Sequence, residues 1–197
     1  MRERHRLGMA MFVFSEAIFF LLLIAAYVYF RVGFNETPGT AVLAPSSNRI
    51  GDPSSVLHAL RTGIFSVLLI SSSLTMWFAE RNARARRTGR LRLWLGGTIV
   101  LGAVFLYGQM TEYLGLIRRN VTISRDLFGS TFYTMTGFHG FHVFGGLVLL
   151  SILFGLAWTA QAPDRRAVAV DTVAIYWHFV DVVWIVIFSV VYLWPLL

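Results

Sequence analysis

The chain has 197 residues, 56% hydrophobic and only 14% charged, with a mean hydropathy of +0.66. A soluble domain of this size carries more charge, so the composition excludes an ordinary soluble enzyme. The net charge of +7 comes from 17 basic residues, all arginine, and these flank apolar runs, which suits phospholipid headgroups and argues against nucleic acid.

The N-terminal MRERHR resembles the positive start of a secretory signal. The run that follows, Gly8 to Phe30, is too long for a signal core and lacks a small-residue cleavage site, so it is expected to remain as a first membrane helix. The spacing of apolar runs predicts five membrane helices, near 9–31, 56–79, 92–117, 131–160 and 173–196. Each is long enough at 1.5 Å per residue to cross a hydrocarbon core of about 30 Å. Between the first two, Asn35 to Ser55 carries Pro38, Gly39, Pro45 and Pro53 and is expected to be a loop. No strand is expected, because an open sheet edge cannot sit in lipid. The expected fold is all-α: a polytopic membrane bundle forming a single domain over 1–197.

The arginines predict orientation. Arg2, Arg4, Arg6, Arg81, Arg84, Arg86, Arg87, Arg90, Arg92, Arg165 and Arg166 fall on one side. Arg31, Arg49, Arg61, Arg118, Arg119 and Arg125 fall on the other. The richer side is expected to be cytoplasmic, which puts the N-terminus inside and the C-terminus outside. Trp194 and Tyr192 at one boundary, and Trp77 and Trp94 at the other, suit interfacial aromatic belts; His5 and His58 read as interfacial too.

Six ionisable residues fall well inside the predicted spans, away from Arg31, His58, Arg61 and Arg92 near their ends: Glu16, Glu112, His139, His142, His178 and Asp181. Such groups are costly in lipid unless partnered or functional. Counting turns from the predicted helix ends puts Glu16 about 10 Å deep, and His178 and Asp181 about 8 and 12 Å deep from the same side. Glu112 and His139 lie about 8 and 12 Å deep from the other side, with His142 near the midplane. Two clusters are therefore expected, Glu16 near the inner half of helix five and Glu112 against His139. Contacts of this kind also fix helix packing. Glu16 stands apart, since no other residue charged at neutral pH lies between Arg6 and Arg31.

His139 and His142 share a helical face, three residues apart, but no third ligand falls at a matching depth, so no metal site is predicted. With no cysteine, disulfides, thiolate sites and thioether haem attachment are removed as well. Trp177, Trp184 and Phe188 are expected to pack along helix five, and Gly137, Gly140, Gly145 and Gly146 to let helix four approach its neighbours. A stand-alone transporter predicts interrupted helices and half-sequence symmetry, and neither is visible.

Four blocks carry a family resemblance. They are SEAIFF (Ser15–Phe20), QMTEY (Gln109–Tyr113), GSTFYTMTGFHGFHVFGG (Gly129–Gly146) and YWHFVDVVW (Tyr176–Trp184). Together they resemble subunit III of the haem–copper respiratory oxidases, the cytochrome c oxidase family, over nearly the whole chain. Many members have seven membrane helices; the first two are missing here, as in five-helix bacterial forms, which implies a bacterial plasma membrane.

The resemblance implies a subunit without redox centres of its own. Haem and copper are expected in partner subunits I and II, with a small subunit IV as a further partner. Its implied role is to stabilise subunit I and support proton uptake while dioxygen is reduced to water and protons are translocated. Glu16 matches the family's buried glutamate, and Glu112, His139, His142, His178 and Asp181 match polar positions in the other blocks. Structural phospholipid is also implied, with Tyr29 and Arg31 as candidates, although the first two helices, which form part of the lipid cleft in seven-helix members, are absent. An accessory subunit of a quinol oxidase or nitric oxide reductase is the alternative within the same resemblance.

Overall fold

A computed structural model describes residues 2–35, 53–118, 127–159 and 163–194, with side chains for 7–29, 60–115, 130–159 and 163–194. The described residues form five long helices: α1 (Arg2–Asn35), α2 (Pro53–Arg84), α3 (Thr88–Arg118), α4 (Leu127–Leu156) and α5 (Pro163–Phe188). A π-helical turn, Ser189–Leu193, continues α5. All five helices are long and apolar enough to cross a membrane, and no strand occurs among the described residues. The all-α expectation therefore holds, for a simple reason: in lipid a helix satisfies its own backbone groups and a lone strand cannot.

The helix ends differ from the sequence expectation. Asn35 closes α1, and Pro53 to Ser55 open α2, so only the middle of the expected loop lies outside the described residues. Helix α4 begins at Leu127 and stops at Leu156, about one turn earlier at each end than expected. Helix α5 begins at Pro163, ten residues before the expected start at Val173. Pro53 and Pro163 both stand at a first helical position, where the missing N–H would have had no intrahelical partner. Apolarity marks where a helix meets lipid; it does not mark where the helix ends.

Between α2 and α3 the turn is tight. Arg86 adopts φ 57°, the left-handed region, while Arg86 N–H donates to Ala83 O at 3.1 Å and Arg87 N–H to Asn82 O at 3.0 Å. This pair of bonds caps the carbonyls of α2, in a position that glycine usually fills.

Helix α5 is the hub: it packs against α1, α2 and α4. Trp177 and Trp184, two turns apart, are buried, and their indole N–H groups donate to Ser72 and Ser66 of α2, each at 2.9 Å. The Trp177 ring fills a slot between α3 and α4. A Cβ built on Gly102 would lie 2.7 Å from it, and one on Gly146 2.8 Å. Phe65 of α2 presses on Gly108 of α3 in the same way, at 2.6 Å. Of the helix-four glycines expected at close contacts, Gly146 is the tight one and Gly140 meets Gln109 at 3.1 Å. Gly137 and Gly145 have ordinary neighbours at 3.8 and 3.6 Å. Elsewhere the pattern is inverted relative to a soluble protein. Phe14, Leu21, Tyr107 and Phe141 are all exposed, as a lipid-facing surface requires.

Trp77 and Trp94 meet at the arginine-rich end through Phe78, which stacks on Trp94 at 4.6 Å. Arg81 lies over Trp77, and Arg92 lies 4.0 Å over the Trp158 ring. Tyr192 is not an interfacial belt residue: its hydroxyl turns inward to Glu112. His5 and His58 lie outside the residues whose side chains are described.

Two predictions follow from this packing. Gly102→Ala and Gly146→Ala each overfill the Trp177 slot and cost about 1–3 kcal/mol; both lower the unfolding temperature of the detergent-solubilised protein. Gly145→Ala, at ordinary contact distance, stays near wild type in the same melt. Arg86→Gly removes a left-handed arginine and stabilises by about 1 kcal/mol, since the Arg86–Asp164 pair that it also removes is exposed on both sides.

Candidate functional site

The polar side chains within the spans form three separate groups, each at a different place in the bundle. The first joins α1 to α4. Glu16 shares a helical face with Phe20 and Tyr27, the two buried side chains among the described residues of α1. That face meets α4, where His142 Nε2 lies 3.1 Å from Glu16 Oε2. His142 Nδ1 lies 2.7 Å from Phe138 O. A carbonyl can only accept, so Nδ1 carries a hydrogen and donates it. Nε2 and a carboxylate would then both be acceptors, so their contact needs one proton, held by the imidazole or by the carboxyl. Phe20 stands edge-on to the ring at 5.1 Å and closes one side of the pair.

Glu16 was expected near the inner half of α5. Helix α1 does lie against α5, through Phe12 on Tyr176 and Phe20 on Phe179. Its carboxylate nevertheless pairs with α4. The observed ends explain the match: Glu16 is 14 residues past Arg2, and His142 is 14 residues before Leu156. Both are about 21 Å along their helices from the same end. Ser15, beside Glu16, donates to Phe12 O at 2.7 Å within its own helix.

The second group joins α2 to α5. Ser73 donates to Asp181 Oδ2, and His178 Nδ1 lies 3.0 Å from the same hydroxyl oxygen. His178 Nε2 lies 3.6 Å from Glu80 Oε1. The other Glu80 oxygen accepts from Arg84 at 3.0 Å, and Arg84 Nε donates to Asp171 at 3.1 Å. Asp181 is buried, and its Oδ1 has no hydrogen-bond partner among the described residues. His178 and Asp181 thus face α2, and neither joins Glu16 in a cluster.

The third group lies at the opposite end. Glu112 accepts from the Thr62 hydroxyl at 3.1 Å and from the Tyr192 hydroxyl at 2.9 Å, which ties α3 to α2 and to the π turn. Nearby, Arg61 donates to Thr111 at 3.1 Å. Tyr113 donates to Thr136 at 2.6 Å, and Gln109 donates to Thr136 O at 3.0 Å.

Glu112 does not meet His139, contrary to expectation. His139 is fully buried, stacked on Trp184 at 4.7 Å and edge-on to Phe105, and neither ring nitrogen has a hydrogen-bond partner among the described residues. The early start of α4 accounts for the difference. His139 is 12 residues past Leu127, about 18 Å, whereas Glu112 is 6 residues before Arg118, about 9 Å. One turn of error in a helix end moved His139 from the level of Phe105 to that of Glu112.

Among the described residues no group of three or more histidine, cysteine, aspartate or glutamate side chains is arranged to hold a metal ion. Of the lipid candidates, Tyr29 is exposed on α1, and the side chain of Arg31 lies outside the described residues. Ser73 and Glu80 enter the polar groups without having been singled out from sequence, and Tyr192 enters them although its sequence position read only as interfacial. Glu80 had a visible signal, as an acid four residues before Arg84. Ser73 and Tyr192 had none.

The family model of cytochrome c oxidase subunit III matches residues 1–196. The chain belongs to that family. Among the relatives of this subunit III chain is cytochrome c oxidase subunit 3 of Synechocystis sp., 38% identical over 191 residues, covering 94% of this chain and 74% of the relative. Cytochrome c oxidase subunit 3 of Thermostichus vulcanus is 35% identical over 195 residues, 95% of this chain and 86% of the relative. That of Corynebacterium diphtheriae is 36% identical over 186 residues, 94% and 85%. As a subunit III, the chain is a multi-pass membrane component of an oxidase complex with other subunits.

The α1–α4 contact gives a prediction. His142→Leu removes the partner of a carboxyl group in the span and costs about 1–3 kcal/mol. Glu16→Gln keeps a hydrogen-bonding group opposite Nε2 and costs less. Thermal unfolding in one detergent ranks the two variants against wild type.

Proposed function

We propose that this chain, as one domain over 1–197, is the non-redox subunit III of a bacterial terminal oxidase. In this reading it sits in the plasma membrane with its N-terminus and the arginine-rich α2–α3 turn inside and its C-terminus outside. It packs against subunit I, which with subunit II carries the haem and copper, and a small subunit IV completes the complex. Its contribution is to stabilise subunit I and to support proton uptake during reduction of dioxygen to water with proton translocation.

The observation that carries this reading is the Glu16–His142 contact. Helix α1 buries little of its surface within the chain, yet it holds a carboxylate part-exposed at 23%, against an imidazole on α4. A carboxyl and an imidazole that share one proton inside a span can pass it between them without leaving contact. The wide apolar surface left on α1 suits cover by a partner subunit or by lipid. Structural phospholipid is part of the proposal, with Tyr29 and Arg31 near its headgroup and exposed apolar side chains of α1 along its tails.

Two measurements test the proposal. Purification in mild detergent returns the chain with the haem- and copper-bearing subunits; recovery as a lone monomer refutes it. Glu16→Ala leaves the complex assembled on a native gel but shortens the period over which it stays active in turnover. An activity decay that matches wild type removes Glu16 from the role.

A further inference from the structure

The α2–α5 group has a feature that helix packing does not require: from His178 to Asp181 its hydrogen bonds run one way. Ser73 has a single hydroxyl hydrogen, and it is committed to Asp181 Oδ2. The contact from His178 Nδ1 at 3.0 Å must therefore be a donation to the Ser73 oxygen. Nδ1 is protonated, and Nε2 is left to face Glu80 Oε1 at 3.6 Å. Glu80 is held by Arg84, and Arg84 by Asp171. Arg84 ends α2, and Ser73 lies 11 residues deeper, about 16 Å along the helix. At the inner end Asp181 is 3% exposed, and its buried Oδ1 has no hydrogen-bond partner among the described residues. At the outer end the His178 side chain is 36% exposed. A group meant only to bind two helices has no need of a directed donor chain that ends on a carboxylate with one oxygen lacking a hydrogen-bond partner among the described residues.

We propose that Glu80, His178, Ser73 and Asp181 form a proton relay from the arginine-rich end of α2 to the buried carboxylate of Asp181. A proton arriving by way of Glu80 binds His178 Nε2. The Nδ1 hydrogen passes to Ser73 Oγ as the hydroxyl hydrogen passes to Asp181 Oδ2. One proton has entered and one rests on Asp181. Ser73 is again a hydroxyl, and the imidazole is neutral in its other tautomer. No electron moves and no other reactant is needed. Arg84 and Asp171 are the other charged groups in the chain of contacts; Arg84 holds Glu80 in place, and Asp171 holds Arg84. The relay belongs to this chain's own side chains, and it stands whether or not Glu16 supports turnover.

Infrared difference spectroscopy of the purified, resting complex in nanodiscs tests it after a pH jump. A carboxyl C=O band that changes in wild type and is absent in Asp181→Asn is assigned to Asp181. His178→Asn keeps a donor where Nδ1 stood, so it preserves the bond to Ser73, but it lacks the second nitrogen that accepts the incoming proton. The Asp181 band is expected to respond about a hundredfold more slowly in His178→Asn and in Ser73→Ala, the low end of what a positioned proton carrier contributes. An unchanged rate in His178→Asn overturns the relay, as does the lack of any band lost in Asp181→Asn. If Ser73→Ala does not assemble, His178→Asn decides alone. Because the complex is resting, a lost relay and a failed turnover role for Glu16 are read separately.

Discussion

The arrangement depends on two indoles. Trp177 and Trp184 sit on one face of α5, each fastened by its N–H to a serine hydroxyl of α2. The Trp177 ring fits only because Gly102 and Gly146 offer no side chain. That fit sets the register of α2, α3 and α4 around α5 at once. In a membrane the hydrophobic effect does not draw one apolar helix to another, so close packing and a few hydrogen bonds must choose the partners. The hydroxyl–indole bonds do this in pairs: shifting α2 by one turn would lose both and leave two buried N–H groups unpaired.

Once α5 is seated, the polar residues follow. Ser73 lies next to Ser72, so the bond that fixes Trp177 also presents a hydroxyl to Asp181 and His178. Near Trp184, Phe105 and His139 close around the ring, which leaves the imidazole stacked and without a hydrogen bond among the described residues. Glu112 is held by Thr62 and Tyr192 at the far end, where α5 widens into its π turn. Each carboxylate inside the spans has at least one hydrogen-bonding neighbour, as low-dielectric surroundings demand.

Helix α1 is the exception to this economy of contacts. It lies against α4 and α5 along one narrow face, with Phe20 and Tyr27 buried, and presents much of its remaining surface outward. The Glu16–His142 contact is therefore close to that outer surface, whereas Asp181 is deep between α2 and α5.

The sequence by itself determined the number and kind of elements. Five long apolar runs leave the backbone no other way to satisfy its N–H and C=O groups than as helices. It also determined which residues needed an explanation, because an acid or imidazole within an apolar run is visible without any structure. The four motif blocks carried the family, and the comparisons agree with it. Pairing was another matter. Glu16 and His142 are 126 residues apart, and their contact depends on where α1 and α4 begin and end, which apolarity records only to within a turn or more. It depends also on the rotation of each helix about its axis, and α4 is apolar on nearly every side, so no stripe marks the inward face. Only the tertiary structure decided that Glu16 turns to His142, that Asp181 turns to Ser73, and that His139 meets an indole. Those choices were made by the fit of Trp177 between two glycines, a contact among three helices that no one segment encodes alone.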